Sequence, residues 1–178
     1  MTHAILHPER QCDLAAISSL QQQAFADPSC ALARLIEALR QQGALSVSLV
    51  AHAEGRVVGH IACSPVLLPQ AEGRWHLLGP LAVLPAYRHR GIGAALVRSS
   101  LAALRAQNAA GCVVQGDRAW FGELGFQPAP QLSGLPDFGG AGAILLFPLA
   151  TQPVSPCGPV RVHELLCSNV RNISHSLQ

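Results

Sequence analysis

The chain has 178 residues, 49% of them hydrophobic and only 12% charged, with a formal net charge of +2. That length suits one domain with a proper core, and the apolar content excludes disorder over most of it. All twelve basic residues are arginine, no basic run reaches five residues, and so small a net charge argues against nucleic acid as a partner.

Taken in chain order, the start carries no apolar signal segment, and no later run reaches membrane-spanning length. A cytoplasmic protein with no membrane partner is expected. Ala4 to His7 reads as a short strand. From Asp13 to Ala26 the residues Leu14, Ile17, Leu20 and Ala24 recur at helical spacing, with Asp13 placed to cap the start. A second helix runs from Cys30 to Gln42, with Leu32, Leu35, Ile36 and Leu39 on one face and Gly43 as its stop. Ser46 to Ala53 and Arg56 to Val66 read as strands joined by the hairpin pair Glu54-Gly55. After the loop Pro69 to Gly73 comes an apolar strand, Trp75 to Leu84, and then a helix from Gly91 to Asn108. Cys112 to Gln115 is a further strand, and Arg118 to Leu124 a short helical turn closed by Gly125-Phe126. Pro128 to Gly142 is rich in proline and glycine and reads as a long loop. Ala143 to Leu149 is another strand and Val160 to Glu164 the last, with a polar tail beyond Leu166. The order βααβββαβαββ predicts an α/β sandwich around one mixed sheet.

Cys12, Cys30, Cys63, Cys112, Cys157 and Cys167 are spread without CxxC or metal-like spacing. Cys63 and Cys112 sit in apolar strings, where cysteine packs as a small core residue. Eight histidines are dispersed with no zinc-like pair on a helix, so no metal is expected.

The most informative stretch is LAVLPAYRHRGIGAALVRSSL, Leu81 to Leu101. A buried strand ends at Pro85, two arginines and two glycines follow, and then an Ala/Leu-rich helix begins. Such a corner aims several backbone N–H groups and a helix dipole at one point. Arg88 and Arg90 bring forked donors that suit phosphate oxygens, so the corner reads as a pyrophosphate site. The plainer alternative is a strand-to-helix turn with glycines for tightness. A P-loop is excluded because the chain has no lysine, and a dinucleotide fingerprint because its third small position is Leu96.

The full string Arg88-x-x-Gly91-x-Gly93-Ala94, just after Leu81-Ala82-Val83, resembles the acetyl-CoA signature of the GCN5-related N-acetyltransferases. The likeness extends to Ile5-Leu6-His7-Pro8-Glu9 with its helix ending Ala24-Phe25, and to the hairpin bearing Val57-Val58-Gly59-His60-Ile61. It takes in His76 to Val83, Val114-Gln115-Gly116-Asp117 and Trp120-Phe121-Gly122-Glu123-Leu124-Gly125-Phe126, covering roughly Ile5 to Leu166 and resembling a bacterial branch of predicted acetyltransferases.

This resemblance implies a single N-acetyltransferase domain over residues 1–166 with a tail at 167–178. It implies a mostly antiparallel central sheet, flanked by helices and splayed at an acyl-CoA site. The activity implied is direct transfer of an acetyl group from acetyl-CoA to a primary amine. The cradle would be Arg88, His89, Arg90, Gly91, Ile92, Gly93 and Ala94, with His89 facing solvent. The pantetheine would run along the backbone of Leu81, Ala82 and Val83, whose side chains belong to the core, with a main-chain N–H near Val83 on the thioester oxygen. Trp120 and Phe121 correspond to the aromatic pair beside the cofactor. Many relatives carry a tyrosine there and a glutamate on the strand before the signature. This chain has its only tyrosine at Tyr87 and no carboxylate from Trp75 to Leu84. His76 and His60 are therefore the candidate bases, with Glu72 on a neighbouring loop. Asp117 reads as a helix cap, with orientation of an amine as the alternative. Family habit favours a homodimer. A protein that binds acyl-CoA without catalysis, as a sensor or partner subunit, is the second reading.

Overall fold

The computed structural model describes residues 4–27, 29–136, 138, 142–150 and 156–167. Strand β1 (Ile5–Pro8) leads through a 3-10 turn at Gln11–Asp13 into helices α1 (Leu14–Ala24) and α2 (Ala31–Gln41). Strands β2 (Val47–Ala53) and β3 (Arg56–Val66) form the expected hairpin, whose two turn residues, Glu54 and Gly55, both take positive φ. Then come β4 (Trp75–Val83), a 3-10 turn at Pro85–Tyr87, α3 (Ile92–Ala106), β5 (Gly111–Gly116) and α4 (Arg118–Glu123). Strands β6 (Gln127–Pro128), β7 (Leu132–Ser133), β8 (Ala143–Pro148) and β9 (Gly158–Pro159) complete the described chain.

Seven strands share one sheet in the order β1-β2-β3-β4-β5-β8-β6. Every pairing in it is antiparallel except β4 with β5, across which α3 supplies the crossover. The period-2 alternation of the strands sorts the core into two faces. Val47, Leu49, Ala51 and Ala53 of β2 pack with Leu96, Val97, Leu101 and Leu104 of α3, whereas Val50 packs with Ile17 and Leu20 of α1. The apolar stripe of α2 (Leu32, Leu35, Ile36, Leu39) meets Trp75, Leu77 and Val113. Each such buried side chain contributes roughly 2 kcal/mol. The molecule is thus an α/β sandwich with a mixed, mostly antiparallel sheet between helices, as the sequence predicts.

Several local expectations are corrected. Asp13 precedes α1 but makes no side-chain cap to it. Its carboxylate instead accepts the Arg10 backbone N–H at 2.9 Å and lies 3.1 Å from His52 Nε2. The strand expected at Val160–Glu164 is replaced by β9, which pairs in parallel with β7, and by an isolated bridge from Arg161 to Leu67. The loop expected from Pro128 to Gly142 contains β7, because Leu132 is buried with Val160 in the α2-side core. Of the tail, residues 168–178 lie outside the described residues.

An irregularity in β4 lies just past the point where it leaves β5. Opposite β3, Leu81 pairs with Ile61 and Leu78 with Cys63, so Gly79 and Pro80 together face the single residue Ala62. This is a β-bulge on β4, placed where Pro80 has no N–H to give to a ladder. Three residues of β4 pair with β5 before it, ending at Leu77 and Val113.

Candidate functional site

Beyond Leu77 and Val113 the two central strands part company. β4 stays with β3 as far as Val83 opposite Gly59, and β5 stays with β8 as far as Gly116 opposite Ala143. Among the described residues no strand fills the wedge between them. The wedge opens into a cleft of about 660 Å³, with residues 78–83 on one wall and 114–117 on the other. Main-chain groups of β4 that would ordinarily bond a neighbouring strand therefore border the cleft.

The start of α3 closes one end. His89 takes φ +59°, and Gly91, at the N-cap of α3, takes φ +79° and ψ −2°. A Cβ on Gly91 would meet nothing within 4 Å, so the glycine is required by its backbone angle and not by crowding. The helix's own bonding begins with Ala95 N–H donating to Gly91 C=O at 2.9 Å. The N–H groups of Ile92, Gly93 and Ala94 thus have no acceptor within the helix, and Gly91 offers no side chain to cap them. They carry the positive end of a fifteen-residue helix dipole to the cleft. A Cβ on Gly93 would lie 3.5 Å from Trp120 Cζ2, an ordinary van der Waals contact, so the indole packs against the first turn of α3.

Trp120 is held from behind. Asp117 Oδ1 accepts its backbone N–H at 2.7 Å, capping α4. Its ring meets Phe121 edge-on at 4.7 Å, and the contact continues through Phe126 to Phe147 at 5.2 Å per step. Gly116 permits this packing, since a Cβ there would come 2.5 Å from the Phe121 ring.

Of the residues singled out from the sequence, Leu81, Ala82, Val83, Arg88, His89, Gly91, Ile92, Gly93, Ala94, Trp120 and Phe121 border the cleft. The arginines do something other than expected. Arg88 donates through Nη2 to Ala24 C=O at 2.9 Å and through Nε to Val83 C=O at 3.2 Å. It braces the end of β4 against the end of α1. Arg90 does not border the cleft; its guanidinium lies over the Tyr87 ring, 5.0 Å from the centroid, and Arg56 lies over the same ring at 5.1 Å. The buried Tyr87 donates its hydroxyl proton to Glu54 Oε2 at 2.6 Å and accepts from Arg56 Nη2 at 2.9 Å. The β2–β3 turn is thereby latched to the corner before α3.

Neither candidate base borders the cleft. His60 is fully buried beneath α1, where the Gln21 amide donates to Nδ1 at 2.8 Å and Nε2 meets Ser48 Oγ at 2.9 Å. Ser48 in turn donates to Glu9 Oε2 at 2.6 Å. That chain of bonds suits a neutral imidazole protonated at Nε2, and burial pulls its pKa down despite the nearby Glu9 carboxylate. His76 lies at the start of β4, bonded through Nδ1 to Ser46 Oγ at 2.8 Å; burial, then the Arg74 charge, lowers its pKa. Gln107, just past the C-terminal end of α3, donates to the Ser46 carbonyl. His76 thus sits by the end of α3 opposite the corner. Glu72 is outside the cleft as well, its carbonyl accepting from the Trp75 indole at 3.2 Å.

Other residues border the cleft without having been singled out: Gly79 and Pro80 of the bulge, Phe25, Gln115 and Phe138. Two Phe138 ring carbons lie 3.5 Å from where a Gly79 Cβ would be, so its ring covers the bulge. A proline in the middle of a strand was the available signal for the bulge; a phenylalanine in a Pro/Gly-rich loop gave none.

A profile described as the acetyltransferase (GNAT) family matches residues 14–126. The uncharacterized N-acetyltransferase YhbS of Escherichia coli K12 is 35% identical over 126 residues, 70% of this chain and 74% of that protein. A crystal structure of YhbS in complex with CoA superposes with a TM-score of 0.80 at 30% identity, covering 94% of this chain and 93% of that one. A GNAT family acetyltransferase from Brucella melitensis, in complex with acetyl-CoA, gives a TM-score of 0.76 at 36% identity, covering 93% and 99%.

Proposed function

The chain belongs to the acetyltransferase (GNAT) family, and from that premise we propose that it moves an acetyl group from acetyl-CoA to a primary amine by direct attack. One observation carries this reading. The open edge of β4 and the uncapped start of α3 border the same cleft, joined by residues 84–91. The two relatives of similar fold that bind CoA or acetyl-CoA support it.

In this reading the N–H groups of Ile92, Gly93 and Ala94 receive the diphosphate, at a point carrying about half a positive charge. The pantetheine amides pair with the unfilled edge of β4 at residues 81–83 as a short extra strand. A main-chain N–H of that segment donates to the thioester oxygen, where negative charge gathers as the amine attacks. The amine nitrogen bonds to the carbonyl carbon, the C–S bond breaks, and CoA leaves as thiolate. The nitrogen's proton passes to water, since His60 and His76 both lie outside the cleft. The acceptor is a small amine or a protein amino group, and the enzyme works as a cytoplasmic homodimer. Cys63, a buried thiol whose pKa is pushed up to about 12 by burial, is a core residue and takes no part.

A thermal-shift and thiol-release pair tests the proposal. Acetyl-CoA at about 100 times its dissociation constant stabilises the fold by roughly 2.7 kcal/mol. With a panel of amines, thiol is released only when an acceptor is present. Binding without release for any amine favours the acyl-CoA sensor; no thermal shift at all overturns both.

A further inference from the structure

Strands β1 and β2 pair Ile5 with His52 and His7 with Val50. His7 and His52 are therefore diagonal neighbours on one face of the sheet, and their rings lie 4.8 Å apart at a tilt of 36°. The chain returns to this spot at Asp13, which is buried at the end of the first 3-10 turn. One donor atom from each of His7, Asp13 and His52 lies within 4.8 Å of the other two. In a tetrahedral shell with bonds of about 2.0–2.1 Å, neighbouring ligand atoms sit roughly 3.3 Å apart. The Asp13 Oδ1 to His52 Nε2 distance, 3.1 Å, is already near that value. The longest side of the triangle needs to close by about 1.5 Å to meet the same spacing.

The groups around the triangle fix its members. Asp13 does not cap α1; its other oxygen, Oδ2, takes the Arg10 N–H at 2.9 Å, which aims Oδ1 at His52. His7 Nδ1 donates to the Pro8 carbonyl at 2.7 Å, leaving Nε2 as its lone-pair atom. An imidazole oriented by a backbone carbonyl and a carboxylate oriented by a backbone amide are arrangements that metal ligands use. Cys12 Sγ lies 3.9 Å from Asp13 Oδ1, so a thiol borders the site.

We propose that His7, His52 and Asp13 form a binding site for a divalent transition-metal cation, with zinc the best fit, that clips the β1–β2 edge to the start of α1. Two imidazoles and one carboxylate suit zinc, cobalt or nickel, whereas calcium and magnesium call for oxygen throughout. The cation takes the place of the proton that otherwise links His52 to Asp13. The cleft lies at the other end of α1, where Ala24 borders it, about 16 Å away along an eleven-residue helix. The site is thus structural and independent of acetyl transfer.

The test uses full-length, untagged protein stripped with chelator, in a Cys12→Ser background so that the neighbouring thiol cannot hold metal by itself. Calorimetry with zinc chloride is expected to show one zinc per chain, and cobalt(II) to give the visible absorption of a tetrahedral site. His7→Gln and His52→Gln should each weaken zinc binding roughly tenfold or more. His7→Gln leaves the His52–Asp13 contact in place, so it remains informative if His52→Gln misfolds by circular dichroism. Absence of stoichiometric zinc in the Cys12→Ser protein, or unchanged uptake after His7→Gln, overturns the proposal.

Discussion

At position 91 the backbone is left-handed, φ +79°, and a side chain would meet open space. Gly91→Ala is therefore a test of backbone strain alone. It should cost about 1 kcal/mol in thermal or urea unfolding, and more in coenzyme A affinity if the strained corner also shifts the N–H groups of residues 92–94. Unchanged unfolding would mean that the corner relaxes freely. Arg88 separates two readings of one residue. As a brace on the carbonyls of Ala24 and Val83 it contributes to the ligand-free fold, so Arg88→Ala should lower stability by roughly 1 kcal/mol before any ligand is added. As a diphosphate grip it would leave the ligand-free melt untouched and change only the salt dependence of coenzyme A binding. The Arg-x-x-Gly-x-Gly string was legible because glycine at a helix start is a local requirement. The direction in which an arginine reaches is not local, and here α1 supplied the acceptor.

Among elements, one carboxylate adds a polar tie between α2 and the chain just past β1, beside the β1–β2 ladder and the apolar stripe of α2. Arg40 of α2 grips Glu9 with two bonds, Nε to Oε1 at 2.6 Å and Nη2 to Oε2 at 2.8 Å, and also pairs with Glu37. Burial by itself raises the Glu9 pKa, but the bonds from Arg40 and Ser48, with the His60 ring 3.7 Å away, outweigh it and hold the carboxyl well below its usual range. Glu9→Gln should cost about 2 kcal/mol, measured by urea unfolding, because it leaves a largely buried guanidinium with poorer acceptors. A loss within 0.5 kcal/mol would place Arg40 among ordinary surface charges. The elements themselves were largely readable from spacing, as the apolar stripe of α2 shows. Their handoffs were not: Asp13 looked like a helix cap, yet the fold offered its carboxylate an imidazole from β2.

For the molecule as a whole, buried neutral histidines set the pH response. Burial lowers the pKa of His60 and His76 below the ordinary imidazole value of about 6.5. The unfolded chain then binds more protons than the folded one just below that value. Stability rises with pH through this window and is lost as pH falls from about 6.5. Glu9, Asp13 and Asp27, all with lowered values, stay ionised further into acid, and their contributions fade below about pH 4. The melting temperature should therefore decline between pH 7 and 5, and His60→Gln should flatten that slope. A level profile over this window in the unmodified protein would contradict the burial of a neutral His60.

The alternation of apolar residues, the glycine-bearing corner and the Pro/Gly punctuation determined the α/β class, the order of elements and the place of the helix start, because each depends on residues close in sequence. Only the tertiary structure decided which way strand residues face. An extra residue at Val58 in β3 shifts the alternation just before His60, which faces α1, and His76 lies on β4 before the two central strands part. Both histidines end up away from the cleft. Long-range pairing of β1 with β2 set His7 beside His52, and the 3-10 turn brought Asp13 back to them, a meeting that spacing along the chain does not reveal.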